Sequence, residues 1–262
     1  MKLPIYQVDA FTDKIFAGNP AAIVPLDSWL PDATMQAIAA ENNLAETAFF
    51  VRDHDKDAWG LRWFTPSVEV DLCGHATLAA AYVLFEHLGA GGGAVHFDTR
   101  SGRLTVKRDG GLLVMDFPAR PPHAHPSAPD LEKVLGVIPT EVLMARDLLA
   151  VFDTEATVRK LDPDMAAIAK LETFAVIVTA PGKGEYDFVS RFFAPAKGVP
   201  EDPVTGSAHC TLVPYWSKRL GKTELKARQV SARGGDLLCR DLGDRVSMAG
   251  HAALYLEGTI TV

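Results

Sequence analysis

Three absences narrow the field before any motif is read. The chain carries only three cysteines, Cys73, Cys210 and Cys239, widely spaced and with no Cys-x-x-Cys pair. That excludes a disulfide framework and gives no hint of a zinc site, so a reducing cytoplasm is the simplest setting. No apolar run reaches the roughly 18 residues that argue for a membrane span. Residues 1–8 read as a strand and lack the charged start, apolar run and cleavage site of a leader. No long run of Lys or Arg occurs, and the net charge is −7 over 262 residues, which disfavours nucleic acid as a partner. A small anionic substrate needs only a local positive site, which net charge does not reveal.

Several catalytic signatures are missing too. There is no Gly-x-x-x-x-Gly-Lys-Ser/Thr phosphate loop and no Gly-x-Gly-x-x-Gly after a strand. No His-Glu-x-x-His or similar cluster implies a metal. Thr205-Gly206-Ser207-Ala208-His209 is not the Gly-x-Ser-x-Gly of a nucleophile elbow, so a Ser207-based hydrolase is a weak option.

What is present is a repeat. Arg62-Trp63-Phe64-Thr65-Pro66 recurs as Arg191-Phe192-Phe193-Ala194-Pro195. Each copy leads to a Gly that opens a helix-like segment, Gly74-His75-Ala76 and Gly206-Ser207-Ala208, and each segment stops at Leu-Gly, 88–89 and 220–221. Arg100-Ser101-Gly102-Arg103-Leu104 then matches Arg233-Gly234-Gly235-Asp236-Leu237. The offset drifts from 129 to 132 to 133, as small loop insertions would produce. Four matches in one order indicate internal duplication.

Each half shows strands, then a helix, then two-residue alternation. Strand-like runs are 48–51 and 61–64, then 174–178 and 188–193; helices are expected at about 74–88 and 206–220, each ended by Gly. Alternation returns over 104–107 and 112–117. A further helix is expected over 35–43. Residues 76–85 are apolar nearly all round, so that helix should be buried on every side, with a sheet curled around it. Pro214 should kink or break the second helix. Pro118, Pro121, Pro122, Pro126 and Pro129 mark a linker that cannot continue a sheet. The boundary is set there: 1–118 and 119–262, with a last strand, about 252–262, free to pack back on the first half. The chemistry is expected in a cleft between the halves.

The helix starts attract attention because a helix N-terminus exposes N–H groups and partial positive charge. Gly74 and Gly206 would let a ligand approach closely, although close packing alone explains them equally well. Polar residues crowd both starts: Asp71, Cys73 and His75 at the first, Glu201, Asp202, Thr205, Ser207 and His209 at the second. Caps, turns and a hydrogen-bonded core histidine account for each one singly. Glu46 stands at the mouth of an apolar strand, where partial burial would raise its pKa and suit acid–base work. A surface Glu at a strand start is the plainer reading.

Taken together, the motifs resemble the PhzF family of phenazine-biosynthesis isomerases. They are Asp9-Ala10-Phe11-Thr12, Gly18-Asn19-Pro20-Ala21-Ala22, Leu44-Ala45-Glu46-Thr47-Ala48-Phe49, Asp71-Leu72-Cys73-Gly74-His75-Ala76 and Glu201-Asp202-Pro203-Val204-Thr205-Gly206-Ser207-Ala208-His209. The resemblance covers essentially the whole chain. It implies an α+β, diaminopimelate epimerase-like fold of two pseudo-symmetric domains, each a curled sheet around a central helix. It also implies that Glu46 shuttles the proton, with His75 and Asp202 beside it in the catalytic set. Gly74, Gly206, Ser207 and Asn19 would bind substrate, with no metal and no organic cofactor.

The related epimerases use one thiol from each half. Here Cys73 stands in the first half, but the 132 offset places Thr205 opposite, which is no thiolate-like base. Glu172, in Leu171-Glu172-Thr173, is the candidate mate of Glu46. The expectation is a cofactor-independent isomerase of a small carboxylate-bearing, cyclic substrate, with room for a homodimer. A non-catalytic binding protein of the same fold is the alternative.

Overall fold

The computed structural model describes residues 1–125 and 131–262. By internal contacts these form two units, Met1–Asp116 with Ala249–Val262, and Phe117–Met248.

The first unit begins with β1 (Lys2–Ala10), β2 (Asn19–Leu26), α1 (Asp32–Asn42), β3 (Glu46–Asp53), β4 (Ala58–Phe64) and β5 (Glu69–Val70). Then follow α2 (Gly74–Glu86), β6 (Ala94–Thr99), β7 (Gly102–Asp109) and β8 (Leu112–Pro118). β1 runs antiparallel to β2, β2 parallel to β3, β3 antiparallel to β4 and β4 parallel to β6. β6, β7 and β8 then form a meander. α2 is Ala-rich and apolar, and ten of its residues, from His75 to Phe85, are buried. It packs against β1, β2, β3 and β7, the sheet-wrapped helix that all-round apolarity calls for. It ends through backbone bonds from Leu88 and Ala90 to Val83 and Leu84, with Gly89 at φ +66°, a conformation Gly adopts without penalty. α1 ends on Asn43 at φ +49°, where Asn replaces the more usual Gly, and presents Met35, Ile38 and Ala39 to the core under β2 and β3.

The second unit contains β9 (His123–Ala124), α3 (Glu132–Leu135), β10 (Glu141–Met144), β11 (Leu148–Val151), α4 (Glu155–Lys160) and α5 (Met165–Ile168). It continues with β12 (Val176–Pro181), β13 (Phe188–Ala194), β14 (Val199–Asp202), α6 (Gly206–Leu220), β15 (Glu224–Gln229), β16 (Gly235–Asp241) and β17 (Arg245–Gly250), whose last two residues already count with the first unit. β18 (Ala252–Thr261) returns to the first unit and pairs antiparallel with β1.

The repeat is visible in the ladders. β10 to β13 reproduce the antiparallel, parallel, antiparallel order of β1 to β4, and β13 pairs parallel with β15 as β4 does with β6. Two half-buried struts repeat as well. Arg62 grips Glu69 with two bonds of 2.7 and 2.8 Å, and Arg191 grips Glu201 at 2.7 and 3.0 Å. Bidentate pairs of this kind fix geometry as well as charge. On the two long helices, Thr77 Oγ1 donates to the Cys73 carbonyl at 2.6 Å, and His209 Nδ1 does the same to Thr205 at 2.8 Å.

Three expectations need correction. The Pro-rich stretch does contribute to a sheet: His123 and Ala124 pair with Met144 and Leu143 of β10. A Pro-rich segment can supply a two-residue edge where the donors come from non-Pro residues. Pro126 and Pro129 lie outside the described residues. Pro214 does not break α6, which is α-helical throughout Gly206–Leu220. Pro cannot donate to the Cys210 carbonyl one turn back, and the backbone N–H of Arg120 does so instead, at 2.8 Å. Nor is Glu172 the mate of Glu46. Thr47 faces Phe64 and Val176 faces Phe193, so the residue matching Glu46 is Ala175. Glu172 is exposed, three residues earlier.

Candidate active site

Three element ends meet in the first unit. Asn19 opens β2, Glu46 opens β3 opposite Ala21, and His75 is the second residue of α2. The chain reaches Glu46 directly after the left-handed turn at Asn43, which throws the strand back along β2. His75 Nε2 lies 3.0 Å from Glu46 Oε2, off the line of a well-formed hydrogen bond. On the other side of the ring, Nδ1 lies 3.1 Å from the Asn19 amide and 3.5 Å from Cys73 Sγ. His75 is 4% exposed, whereas the Glu46 side chain keeps 15% of its surface, so the carboxylate is the member that solvent or substrate can reach.

Burial disfavours charge on His75, yet its pKa lies well above the ordinary histidine value, because anionic Cys73 and Glu46 would both favour the imidazolium. Burial, with help from the Glu46 charge, pushes the Cys73 thiol up to about 11. Near neutral pH Cys73 is therefore a thiol. Both ring nitrogens of an imidazolium donate, so Asn19 must then offer its amide oxygen to Nδ1. A neutral ring can keep Nε2–H towards Glu46 and accept from the Asn19 NH₂. Either state leaves Nε2–H for the carboxylate.

Glu46, Cys73 and His75 are also the residues that could hold a metal, with donor atoms within 4.8 Å of one another. An ion there would have to displace the thiol proton and part the Glu46–His75 contact.

The second unit brings together Asp202, Thr205, Ser207 and Gln229. Thr205 Oγ1 donates to Asp202 Oδ2 at 2.5 Å, Gln229 Oε1 accepts from Thr205 N at 2.8 Å, and Gln229 Nε2 donates to the Asp202 carbonyl at 2.6 Å. Gly206 and Gly74 open α6 and α2, and neither helix has a side-chain cap at its start. Ser207 Oγ accepts from Arg146 Nη2 at 3.1 Å. His209 is a structural group: fully buried, bonded to the Thr205 carbonyl, with its pKa pushed down to about 4 by burial. Arg146, Asp147 and Gln229 were not singled out by sequence. Only the charged pair 146–147 before the apolar run 148–151 offered a signal.

By the ladder and strut matches, Ala175 corresponds to Glu46, Thr205 to Cys73 and Ser207 to His75. The second unit thus has the same frame with different chemistry. Among the described residues, no helix is long and apolar enough to cross a membrane.

A family model described as phenazine biosynthesis-like protein matches residues 8–258. An uncharacterised isomerase of Pseudomonas aeruginosa is 56% identical over 99% of both chains. The crystal structure of a PhzF-family phenazine biosynthesis protein from Enterococcus faecalis superposes with a TM-score of 0.97 at 47% identity over 100% of both chains. A hydroxyproline epimerase from Agrobacterium vitis, 10% identical, shares the fold at a TM-score of 0.60, covering 99% of this chain and 92% of that one.

Proposed function

The chain belongs to the phenazine-biosynthesis-like PhzF family and is an isomerase of that type, and from this premise we propose that it moves a proton on a small carboxylate-bearing substrate through one acid–base group, Glu46. The observation that carries the reading is the partly open Glu46 carboxylate held 3.0 Å from a buried His75, with Ala175 at the matching position of the other unit. One carboxylate can take a proton from one carbon and return it to another on the same face. Racemisation by two opposed bases would call for a second group, and Thr205 stands where a second thiol would be.

In this reading His75 keeps Glu46 oriented through Nε2–H, and Asn19 holds the His75 ring. Cys73 is a packing neighbour of the pair. By the family resemblance, Asp202 would polarise substrate, and Ser207 with the backbone N–H of Gly206 would supply donors to its oxygens. The Ser207 hydrolase reading is weakened by its partner. A serine nucleophile needs a neighbour that accepts its proton, and Arg146 can only donate.

Solvent deuterium incorporation into dihydro-hydroxyanthranilate or a related cyclic acid tests the proposal. Wild type should exchange the label, and Glu46→Gln should lose about 10²–10⁴-fold while still binding ligand. Glu172→Gln, at an exposed position, should exchange normally. Undiminished exchange by Glu46→Gln would overturn the mechanism. Binding without exchange by wild type would favour the non-catalytic alternative.

A further inference from the structure

We propose that Arg146 is a positioning residue that fixes the Ser207 hydroxyl as a donor to a substrate carboxylate and adds its own N–H beside it; the substrate-binding role of Ser207 is that of the proposed function, on which this rests. Arg146 is held on three sides. Its Nε and Nη2 bind the two oxygens of Asp147, each at 2.9 Å, and Asp147 is 1% exposed. Its guanidinium lies 4.2 Å from the ring centre of Phe174. Its Nη2 also reaches Ser207 Oγ at 3.1 Å.

The direction of that last bond follows from chemistry. A guanidinium has no acceptor, so Ser207 Oγ must accept. The serine proton is then directed away from Arg146, towards whatever acceptor approaches. Nη1 makes no hydrogen bond to a described residue, and a third of the Arg146 side chain remains exposed. Two kinds of donor thus stand side by side, Nη1–H and Ser207 Oγ–H, which suits the two oxygens of a carboxylate.

Asp147 cancels the charge of Arg146. Because Arg146 is already paired, its main contribution is geometric. It removes the rotational freedom of a hydroxyl that would otherwise have to be ordered when substrate binds. Phe174, itself 41% exposed, stiffens the guanidinium that lies over its ring.

The test uses the full chain and two probes, anthranilate and its neutral counterpart 2-aminobenzamide, with affinity read by calorimetric titration. Wild type should bind anthranilate at least about tenfold more tightly than the amide. Ser207→Ala leaves the Arg146–Asp147 pair intact and should lower anthranilate affinity by about 5–20-fold, with little change for the amide. Arg146→Lys keeps a positive charge over buried Asp147, so the fold is protected, but loses the fork; it should show a similar loss. Arg146→Lys with Ser207→Ala should lose little more than either alone, because the two act as one unit. No preference for anthranilate in wild type, or unchanged affinity in both single variants, would overturn the proposal. Because binding is read without turnover, failure of Glu46 as the proton carrier would leave this result intact, and the reverse holds equally.

Discussion

Replacing Glu46 with Gln should change how stability depends on pH. In the wild-type protein the His75 pKa is raised well above the ordinary value, so the folded state binds a proton that the unfolded chain releases near pH 6.5. Such a group stabilises the fold fully below about pH 6.5. The contribution disappears as pH rises through the folded-state pKa. Gln keeps a carbonyl oxygen near Nε2 but removes the negative charge that favours the imidazolium. An exposed ion pair contributes up to about 1 kcal/mol, and the Glu46–His75 contact is more buried than that. The expected loss is therefore about 1–2 kcal/mol at pH 6. It stays below the cost of breaking a fully buried ion pair, about 3–5 kcal/mol, because the Glu46 side chain is still 15% exposed. Urea unfolding of both proteins from pH 6 to 8 measures the difference directly, in a range below the titration of the buried Cys73 thiol, which also feels the Glu46 charge. The curves should converge as pH rises. Curves that stay parallel throughout would mean that Glu46 does not hold the His75 proton.

His209 should give the opposite slope: with its pKa down at about 4, the folded state resists a proton that the unfolded chain takes up below about pH 6.5, so stability should fall by up to roughly 3 kcal/mol between those values. His209→Thr copies the Thr77 position of the other helix and should remove that acid slope in urea titrations, whatever the packing cost. Cys73, buried and with its thiol pushed up to about 11, should resist iodoacetamide at pH 8 in the native protein and react on unfolding. Cys73→Ala should retain most of the deuterium exchange, and complete loss with an intact fold would make the thiol catalytic.

The repeat was legible because it is written in residues that local structure demands: the Arg of each strut, the Gly that opens and closes each helix. The isomerase family was legible from motifs around Glu46, His75 and Ser207. The finer pairings were hidden. Glu172 looked like the mate of Glu46 because Leu-Glu-Thr resembles Ala-Glu-Thr, but ladder register, not local spelling, decides correspondence, and it selects Ala175. Pro214 obeyed its rule of donating nothing, yet the break did not follow, since a distant segment supplied Arg120 N–H to the stranded carbonyl. Arg146 and Asp147 carried no motif; their meaning lies in a bond to Ser207, 61 residues away along the chain.

The return of β18 to β1 has a consequence for how the molecule comes into being. β1 is made before the second unit, and its partner over Lys2–Ala10 is Ala252–Thr261, made after that unit. One edge of β1 therefore stays unpaired with its native neighbour throughout synthesis, while Phe117–Met248 can close on contacts of its own. The order of folding is inverted relative to the order of translation: the later-made unit can finish first, and the earlier one waits. An apolar strand with an open edge is vulnerable during that wait, so truncation near residue 252 should yield aggregation rather than a smaller native protein.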